Sequence, residues 1–248
     1  MLAIIGGSGL SELSNLIVSR REVMRTPYGE PSGALTLGTV AGHEVVFLAR
    51  HGDPHAIPPH EVNYRANIWA LHTLGVKNVI AVAAVGGIRS DLKPGMLAIP
   101  DQIIDYTHDR AATFFTRADR GLHHIDFTLP YCQPLRAAGL AAAEQCGIEM
   151  VDGGTYAATQ GPRLETAAEI TRFERDGADM VGMTGMPEAV LAREIGLCYA
   201  TIAVVANTAA GKGASGSGIA LDEISTVLQQ TMGIVRQLLE KLVIFDGG

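Results

Sequence analysis

The chain lacks several features that would mark it as a nucleic-acid-binding or membrane protein. Its 248 residues carry a formal net charge of −7, and no cluster of lysine and arginine offsets it, so it offers no complementary surface to a phosphate backbone or an anionic membrane. No apolar run approaches the ~18 residues of a membrane-spanning helix. Residues 1–5 lack the basic region that begins a signal peptide. We therefore expect a soluble cytoplasmic protein.

Cysteine is scarce, with only Cys132, Cys146 and Cys198. Their number is odd and none has Cys-x-x-Cys spacing, which argues for a reducing compartment and against a disulfide framework or a zinc site. We expect three buried, unreactive thiols.

Metal-ligand patterns are also missing. The polar segment 105–126 contains three histidines, but no cysteine accompanies them and their spacing fits no common zinc motif. We expect no bound metal, and we interpret this segment as a mobile loop that covers a site or meets a neighbouring subunit.

Short apolar runs alternate with amphipathic stretches along the whole chain, which predicts an α/β fold. No repeat or long linker interrupts the pattern, so we expect a single domain over residues 1–248. The predicted strands are 2–5, 34–40, 43–49, 78–85, 96–105, 151–158, 178–182 and 200–209. The predicted helices are 61–75, 134–146, 166–176, one starting at Pro187 and one starting near Leu221.

The run 200–209 ends in an amide, Asn207. Ligands of open α/β sheets bind at the carboxyl ends of such strands. A carboxamide can donate and accept hydrogen bonds at once, so it could read the edge of a planar heterocycle. Alternatively, Asn207 only starts the turn into residues 211–213.

Several other strand ends carry groups suited to an anion. Ser8 lies in a glycine-rich turn after the first strand, and Arg50 and His51 follow an apolar run directly. Thr184 lies at a strand-to-helix junction, where free N–H groups face an anion. Each has a simpler alternative, namely a tight turn, a solvated loop or a helix start.

Glu165 directly precedes a predicted helix cap formed by Thr166 and Glu169. It could point into a pocket, or it could only favour the helix dipole as a first-turn acid.

Five motifs in order along the chain resemble the family of trimeric purine nucleoside phosphorylases and methylthioadenosine phosphorylases. They are Gly6-Gly7-Ser8-Gly9, Arg50-His51-Gly52, residues 63–71, Gly161-Pro162-Arg163 and residues 183–188. This resemblance implies a single α/β domain with a mixed, partly barrel-like central sheet flanked by helices, assembled as a homotrimer. It also implies cleavage of a purine N-glycosidic bond by inorganic phosphate, without metal or organic cofactor.

The resemblance also implies roles for individual residues. Asn207 would act in catalysis, by hydrogen-bonding the leaving purine at N7 and at its six-position substituent. Met183 would lie on the ribose. Phosphate would be bound by Ser8, Arg50, His51, the backbone at Ala83 and Ala84, and Thr184. Position 83 often carries a polar side chain in relatives, so only main-chain donors remain there.

Two departures from the family pattern concern the purine base. Methylthioadenosine phosphorylases usually have aspartate at positions 207 and 209, whereas this chain has Asn207, Thr208 and Ala209. An amide can donate to a carbonyl at purine C6. Glu165, which follows Leu164 in the same expected substrate pocket, lies where 6-oxopurine phosphorylases carry a glutamate that accepts from N1–H. Both positions favour a 6-oxopurine.

The residues expected near the 5′ position of the sugar depart from the pattern of ordinary purine nucleoside phosphorylases. Ordinary purine nucleoside phosphorylases have a histidine for the 5′-hydroxyl near Leu221, and Ile224 follows one turn later. This apolar wall favours a 5′-methylthio group. His124 resembles a residue that reaches the 5′ pocket of a neighbouring subunit.

Together the base and sugar features predict S-methyl-5′-thioinosine as the substrate. The alternatives are a methylthioadenosine phosphorylase, a general 6-oxopurine nucleoside phosphorylase, a nucleoside hydrolase, or a purine-binding regulator without catalysis.

Overall fold

The computed structural model describes residues 1–115, 123–213, 216 and 218–247. Its strands and helices are numbered here in the order in which they occur along the chain. The strands are β1 Leu2–Gly6, β2 Ile17–Glu22, β3 Leu35–Val40, β4 His43–Ala49, β5 Asn78–Gly87, β6 Leu97–Ile99, β7 Gln102–Asp105, β8 Met150–Asp152, β9 Thr155–Ala158, β10 Met180–Gly182 and β11 Cys198–Thr208. The helices are α1 Tyr64–Thr73, α2 Gln133–Gln145, α3 Ala167–Arg175, α4 Gly185–Glu194 and α5 Leu221–Gly247. The mixed α/β class is confirmed.

The strands form one mixed sheet that branches at β5. Its main order is β2-β3-β4-β1-β5-β10-β9-β7, while β11 pairs with β5 and β6, and β6 pairs with β8. Strands β4, β1, β5 and β11 are mutually parallel neighbours. Their carboxyl ends therefore meet at one edge, which is where α/β sheets bind ligands.

Helices cover both faces of this sheet because neighbouring residues of the buried strands point to opposite sides. Ala3 and Ile5 of β1 pack in one core cluster with residues of α1 and α4. Leu2 and Ile4 pack in a second cluster with residues of α2 and α5. A smaller cluster lies under α3. None of the described helices is long and apolar enough to cross a membrane.

Two predicted strands are each divided in the structure. Residues 96–105 form β6 and β7, which pair with different neighbours, and Pro100 between them has no N–H to donate to a sheet. Residues 151–158 form β8 and β9, separated by Gly153 and Gly154 with φ of 88° and 110°. Strand β2 was not predicted, because its exposed sequence IVSRRE has no buried alternation.

The expectation of three unpaired cysteines is wrong. Cys132 and Cys198 form a disulfide with Cα atoms 5.1 Å apart, leaving Cys146 free. Cys132 caps α2, and its N–H donates to the carbonyl of Tyr199 at 2.8 Å, so the start of α2 lies beside the start of β11. Sequence spacing could not show this proximity, and an odd number of cysteines does not prevent two of them from pairing.

The expected mobile loop at 105–126 is only partly described. Its residues 116–122 lie outside the described part of the chain. Residues before them are anchored: the N–H of Phe114 donates to the Glu194 carboxylate at 2.8 Å, and the Phe114 side chain is buried.

Candidate active site

A cavity of about 400 Å³ opens at the carboxyl ends of β4, β1, β5 and β11, with the chain after β10 forming another wall. Most residues that the sequence singled out line it. They are Ser8, Arg50, His51, Ala83, Ala84, Leu164, Glu165, Met183, Thr184, Asn207, Leu221 and Ile224.

Three predicted substrate-binding residues do not line this cavity. Thr208 pairs with Gly87 at the end of β11, and Ala209 is buried in the cluster under α3. His124 is exposed on the surface.

Arg50 is paired with a carboxylate from α4. Its Nε and Nη2 donate to the two oxygens of Glu188 at 2.7 and 2.8 Å, and its Nη1 donates to the carbonyl of Val82 at 3.0 Å. Both side chains are buried. Burial alone would lower the pKa of Arg50, but the charge and hydrogen bonds of Glu188 raise it above its ordinary value. Arg50 is thus a fixed cation.

This pairing leaves part of the guanidinium available. A guanidinium has five N–H groups, and the three bonds leave one N–H on each terminal nitrogen for an anion in the cavity. Gly7 makes the close approach possible, because a Cβ there would lie 2.8 Å from Arg50 Nη1 and 2.5 Å from the Val82 oxygen.

Glu188 also accepts from Tyr199, whose hydroxyl donates to it at 2.8 Å, and Thr201 donates to that hydroxyl at 3.2 Å. Burial, followed by the charge of Glu188, raises the pKa of Tyr199 well above its ordinary value, so the phenol stays a donor. A buried carboxylate is tolerated only with such partners. The ion pair is therefore fixed by β11 as well as by α4.

His51 is neutral near pH 7. Burial, and then the charge of Arg50, lower its pKa to about 4. Its Nδ1 lies 2.8 Å from the carbonyl oxygen of Ile57, and a carbonyl only accepts, so Nδ1 carries the proton. Nε2 is then an acceptor, which can receive the hydrogen of a protonated phosphate oxygen but cannot donate to an anion.

Thr184 is buried at the start of α4, and its side chain makes no helix-cap hydrogen bond. Met186 and Pro187, which follow it, have non-helical φ and ψ, so the regular helix starts later than the sequence predicts for Pro187. The bend brings Glu188 from α4 towards Arg50.

Asn207 and Glu165 also line the cavity. The pairing of β11 with β5 shifts between Val205 and Asn207, a bulge of the kind that turns side chains near active sites. Asn207 Nδ2 donates to the carbonyl of Thr208 at 2.8 Å, which leaves its Oδ1 and one N–H for a ligand. Glu165 accepts from the Thr159 hydroxyl at 2.6 Å, leaving its second oxygen as an acceptor.

Leu221, Ile224 and Leu228 of α5 form an apolar wall of the cavity. Leu221 is nevertheless 67% exposed, so this end is open in the single chain. His55 also lines the cavity, with its ring centre 4.4 Å from that of His51.

Sequence reasoning missed three contributors, namely Glu188, His55 and Arg110. Glu188 could be read only as a first-turn acid, and His55 lies in a proline-rich segment without periodicity. Arg110 binds backbone carbonyls of the segments that carry Met183 and Glu165, and no local motif marks such a role. Among the described residues, no group of three or more histidine, cysteine, aspartate or glutamate side chains could hold a metal ion.

The family model of the phosphorylase superfamily matches residues 1–243. The chain belongs to this superfamily. The likeness covers every wall of the cavity, because the match extends from before β1 into α5.

Relatives and a solved structure agree with this membership. A probable S-methyl-5′-thioinosine phosphorylase of Pseudomonas syringae pv. tomato is 52% identical over 241 residues, which is 97% of each chain. A 6-oxopurine nucleoside phosphorylase of Pyrococcus furiosus is 47% identical over 92% of this chain and 86% of its own. The structure of a methylthioadenosine phosphorylase from Schistosoma mansoni with adenine superposes with a TM-score of 0.94 at 33% identity, covering 99% of this chain and 91% of that one.

Proposed function

We propose that this chain catalyses the phosphorolysis of S-methyl-5′-thioinosine to hypoxanthine and 5-methylthioribose 1-phosphate. The observation that carries the proposal is one cavity lined by three kinds of group: the buried cation Arg50 with hydroxyl side chains, an amide and a carboxylate, and an apolar helix wall. These match phosphate, a 6-oxopurine and a methylthio group respectively.

Phosphate would bind between Ser8, Arg50, His51, Thr184 and the backbone at Ala83 and Ala84. The fixed charge of Arg50 supports this assignment, since a buried cation with unused N–H groups attracts an anion strongly. The acceptor on His51 favours an oxyanion that still carries a hydrogen. Hydrogen phosphate is such an ion near neutral pH.

The purine would be read by Asn207 and Glu165, beside Leu164. The free N–H of Asn207 would donate to the C6 carbonyl or its Oδ1 would accept from N7–H, and Glu165 would accept from N1–H. An adenine presents an amino group and a bare N1 at these positions, so it would leave polar groups unpaired. Met183 would pack on the ribose.

The 5′-methylthio group would lie against Leu221 and Ile224. Methyl and sulfur atoms gain from burial against these side chains, whereas a 5′-hydroxyl packed against them would lose hydrogen bonds to water.

The reaction then needs no nucleophilic side chain. A phosphate oxygen forms the bond to C1′ while the bond from C1′ to the purine nitrogen breaks, and the electron pair leaves with the base. The departing base takes up one proton and hydrogen phosphate gives up one, so the products are a sugar phosphate dianion and a neutral purine. The site supplies position and charge complementarity, with Asn207 stabilising the leaving base.

The rest of the assignment follows the family resemblance. We propose one catalytic domain over residues 1–248, with phosphate as co-substrate and no metal or organic cofactor.

We propose a homotrimer, which would let His124 reach the 5′ pocket of a neighbouring subunit and would cover the exposed Leu221. Light scattering on the purified protein would test it.

We place the enzyme in the cytoplasm. The disulfide removes the argument for a reducing compartment that the scarcity of cysteine offered, and cell fractionation would test this location.

A general 6-oxopurine nucleoside phosphorylase is the second candidate. The exposure of Leu221 favours it, because an open 5′ end would accept inosine as well.

The test is release of free base from methylthioinosine, methylthioadenosine, inosine and adenosine, each with and without phosphate. Hypoxanthine chiefly from methylthioinosine, and only with phosphate, is expected. Equal turnover of inosine supports the second candidate. Adenine chiefly from methylthioadenosine contradicts the base assignment, release without phosphate indicates a hydrolase, and binding without any release indicates a regulator.

A further inference from the structure

Arg110 makes an unusual set of hydrogen bonds for a residue that lines no wall of the cavity. Its Nη1 donates to the carbonyls of Met183 and Met186 at 2.8 and 2.7 Å. Its Nη2 donates to the carbonyls of Gln160 and Thr159 at 2.7 and 3.2 Å. Its Nε donates to the Gln160 side chain at 3.2 Å. The guanidinium thus holds two chain segments at once.

Both segments carry residues of the cavity. Met183 and Thr184 belong to the wall proposed for ribose and phosphate, and Met186 follows them in the chain. Thr159 donates through its hydroxyl to Glu165, which belongs to the wall proposed for the base. The pairing of β9 with β10 and the N–H of Thr159, which donates to the Gly182 carbonyl at 2.8 Å, also join these segments, and Arg110 adds a brace beyond the ends of the two strands.

The chain needs an arginine here for a physical reason. Met186 and Pro187 depart from helical geometry, so the carbonyls of Met183 and Met186 cannot rely on regular helix partners. A planar guanidinium offers donors along two edges and can bridge separate segments, whereas a lysine ammonium is a point donor. Arg110 also lies over the ring of Tyr64, 5.5 Å from its centre, which sets its plane.

We propose that Arg110 is a positioning residue that sets the phosphate and ribose wall against the base wall without touching substrate. The proposal rests on the proposed phosphorolysis. It predicts that loss of Arg110 leaves the binding of each ligand alone nearly intact and impairs the step that needs both ligands in register.

The experiment compares Arg110→Lys and Arg110→Gln with wild type. The matched control is Arg172→Gln, since Arg172 is exposed and also lies over a tyrosine ring, 5.6 Å from the centre of Tyr106.

Calorimetry gives the affinity and the number of sites for hypoxanthine and for phosphate, and kcat is expressed per binding site. We expect kcat to fall about 100-fold in Arg110→Gln, as a misplacement near 1 Å can do. The separate affinities should change less than threefold, Arg110→Lys should lie between, and Arg172→Gln should match wild type.

Three outcomes overturn the proposal. One is a kcat per site within threefold of wild type in Arg110→Gln. Another is an equal loss of affinity for each ligand alone, which indicates direct contact or a collapsed pocket. The third is that both Arg110 variants fail to fold, which makes the arginine a stability residue. A wild-type protein that releases no base from any nucleoside instead refutes the proposed function.

Discussion

The part of the cavity proposed for phosphate is its buried end, where Arg50 and the Glu188 that pairs with it are 1% and 0% exposed. The part proposed for the nucleoside is its open end, where Leu221 is 67% exposed. The buried end has its charges paired within a hydrogen-bonded network that includes Tyr199 and Thr201. The open end has Asn207 and Glu165 half-buried, each held by one neighbour.

This difference in burial predicts two different responses to mutation. A change at the buried end leaves a charge without a partner in a low-dielectric interior, so it affects folding as well as binding. A change at the open end can be hydrated and affects mainly which nucleoside is preferred. Under the proposed function, phosphate binds at the buried end and the choice of nucleoside is made at the open end.

The largest effect should follow removal of Glu188. Glu188→Ala leaves Arg50 buried and unpaired, which costs about 3–5 kcal/mol of unfolding free energy in comparable cases. Urea unfolding with and without phosphate measures it. Phosphate should restore more stability to the variant than to wild type, because the anion replaces the missing negative charge.

The control for Glu188→Ala is Arg163→Ala. Arg163 also makes two hydrogen bonds to one carboxylate, from Nη1 and Nη2 to the oxygens of Glu169 at 2.8 and 2.7 Å, but its side chain is 67% exposed. An exposed pair contributes little, so this variant should unfold nearly as wild type does. Equal losses in both variants would mean that burial of the Arg50 pair has no special importance.

A smaller and more selective effect is expected at the open end. Asn207→Asp replaces a donor by an acceptor, so the ratio of kcat/KM for methylthioinosine over methylthioadenosine should fall about 100-fold, with unchanged stability. Steady-state kinetics on both nucleosides measures it. Gln145→Glu, an exposed amide-to-acid change on α2, controls for added charge. An unchanged ratio would show that Asn207 does not read the base.

Much of the composition of the cavity could be predicted from the sequence. Apolar runs predicted the strands that precede Ser8, Arg50, Thr184 and Asn207, and the family resemblance implied that these four residues serve one site. The structure places all four in one cavity. The capping box of Thr166 and Glu169 was also predicted and is formed.

The features that could not be predicted from the sequence depend on contacts between residues far apart in the chain. Glu188 lies 138 residues from Arg50, and Arg110 lies 73 residues from Met183, so no local pattern links either pair. The disulfide joins cysteines 66 residues apart for the same reason. The exposure of Leu221 in the single chain likewise has no local pattern, since apolar spacing marks a helix face but not what covers it.

The smallest effect concerns protonation at the buried end. The pKa of His51 is about 4 in the folded chain against 6.5 for an ordinary histidine, so the unfolded chain binds more protons between these values. The free energy of unfolding should therefore decrease as pH falls from 6.5 towards 4, and be independent of His51 above 6.5.

His51→Asn keeps a donor near the Ile57 carbonyl but cannot titrate. The difference between wild type and this variant, from urea unfolding at several pH values, isolates His51 from the carboxylates and from His55, which remain in both. His72→Gln, an exposed site on α1, should keep the wild-type slope. Parallel profiles for wild type and His51→Asn would mean that His51 becomes charged as readily in the folded chain as in the unfolded one, and the neutral acceptor proposed for hydrogen phosphate would be lost with it.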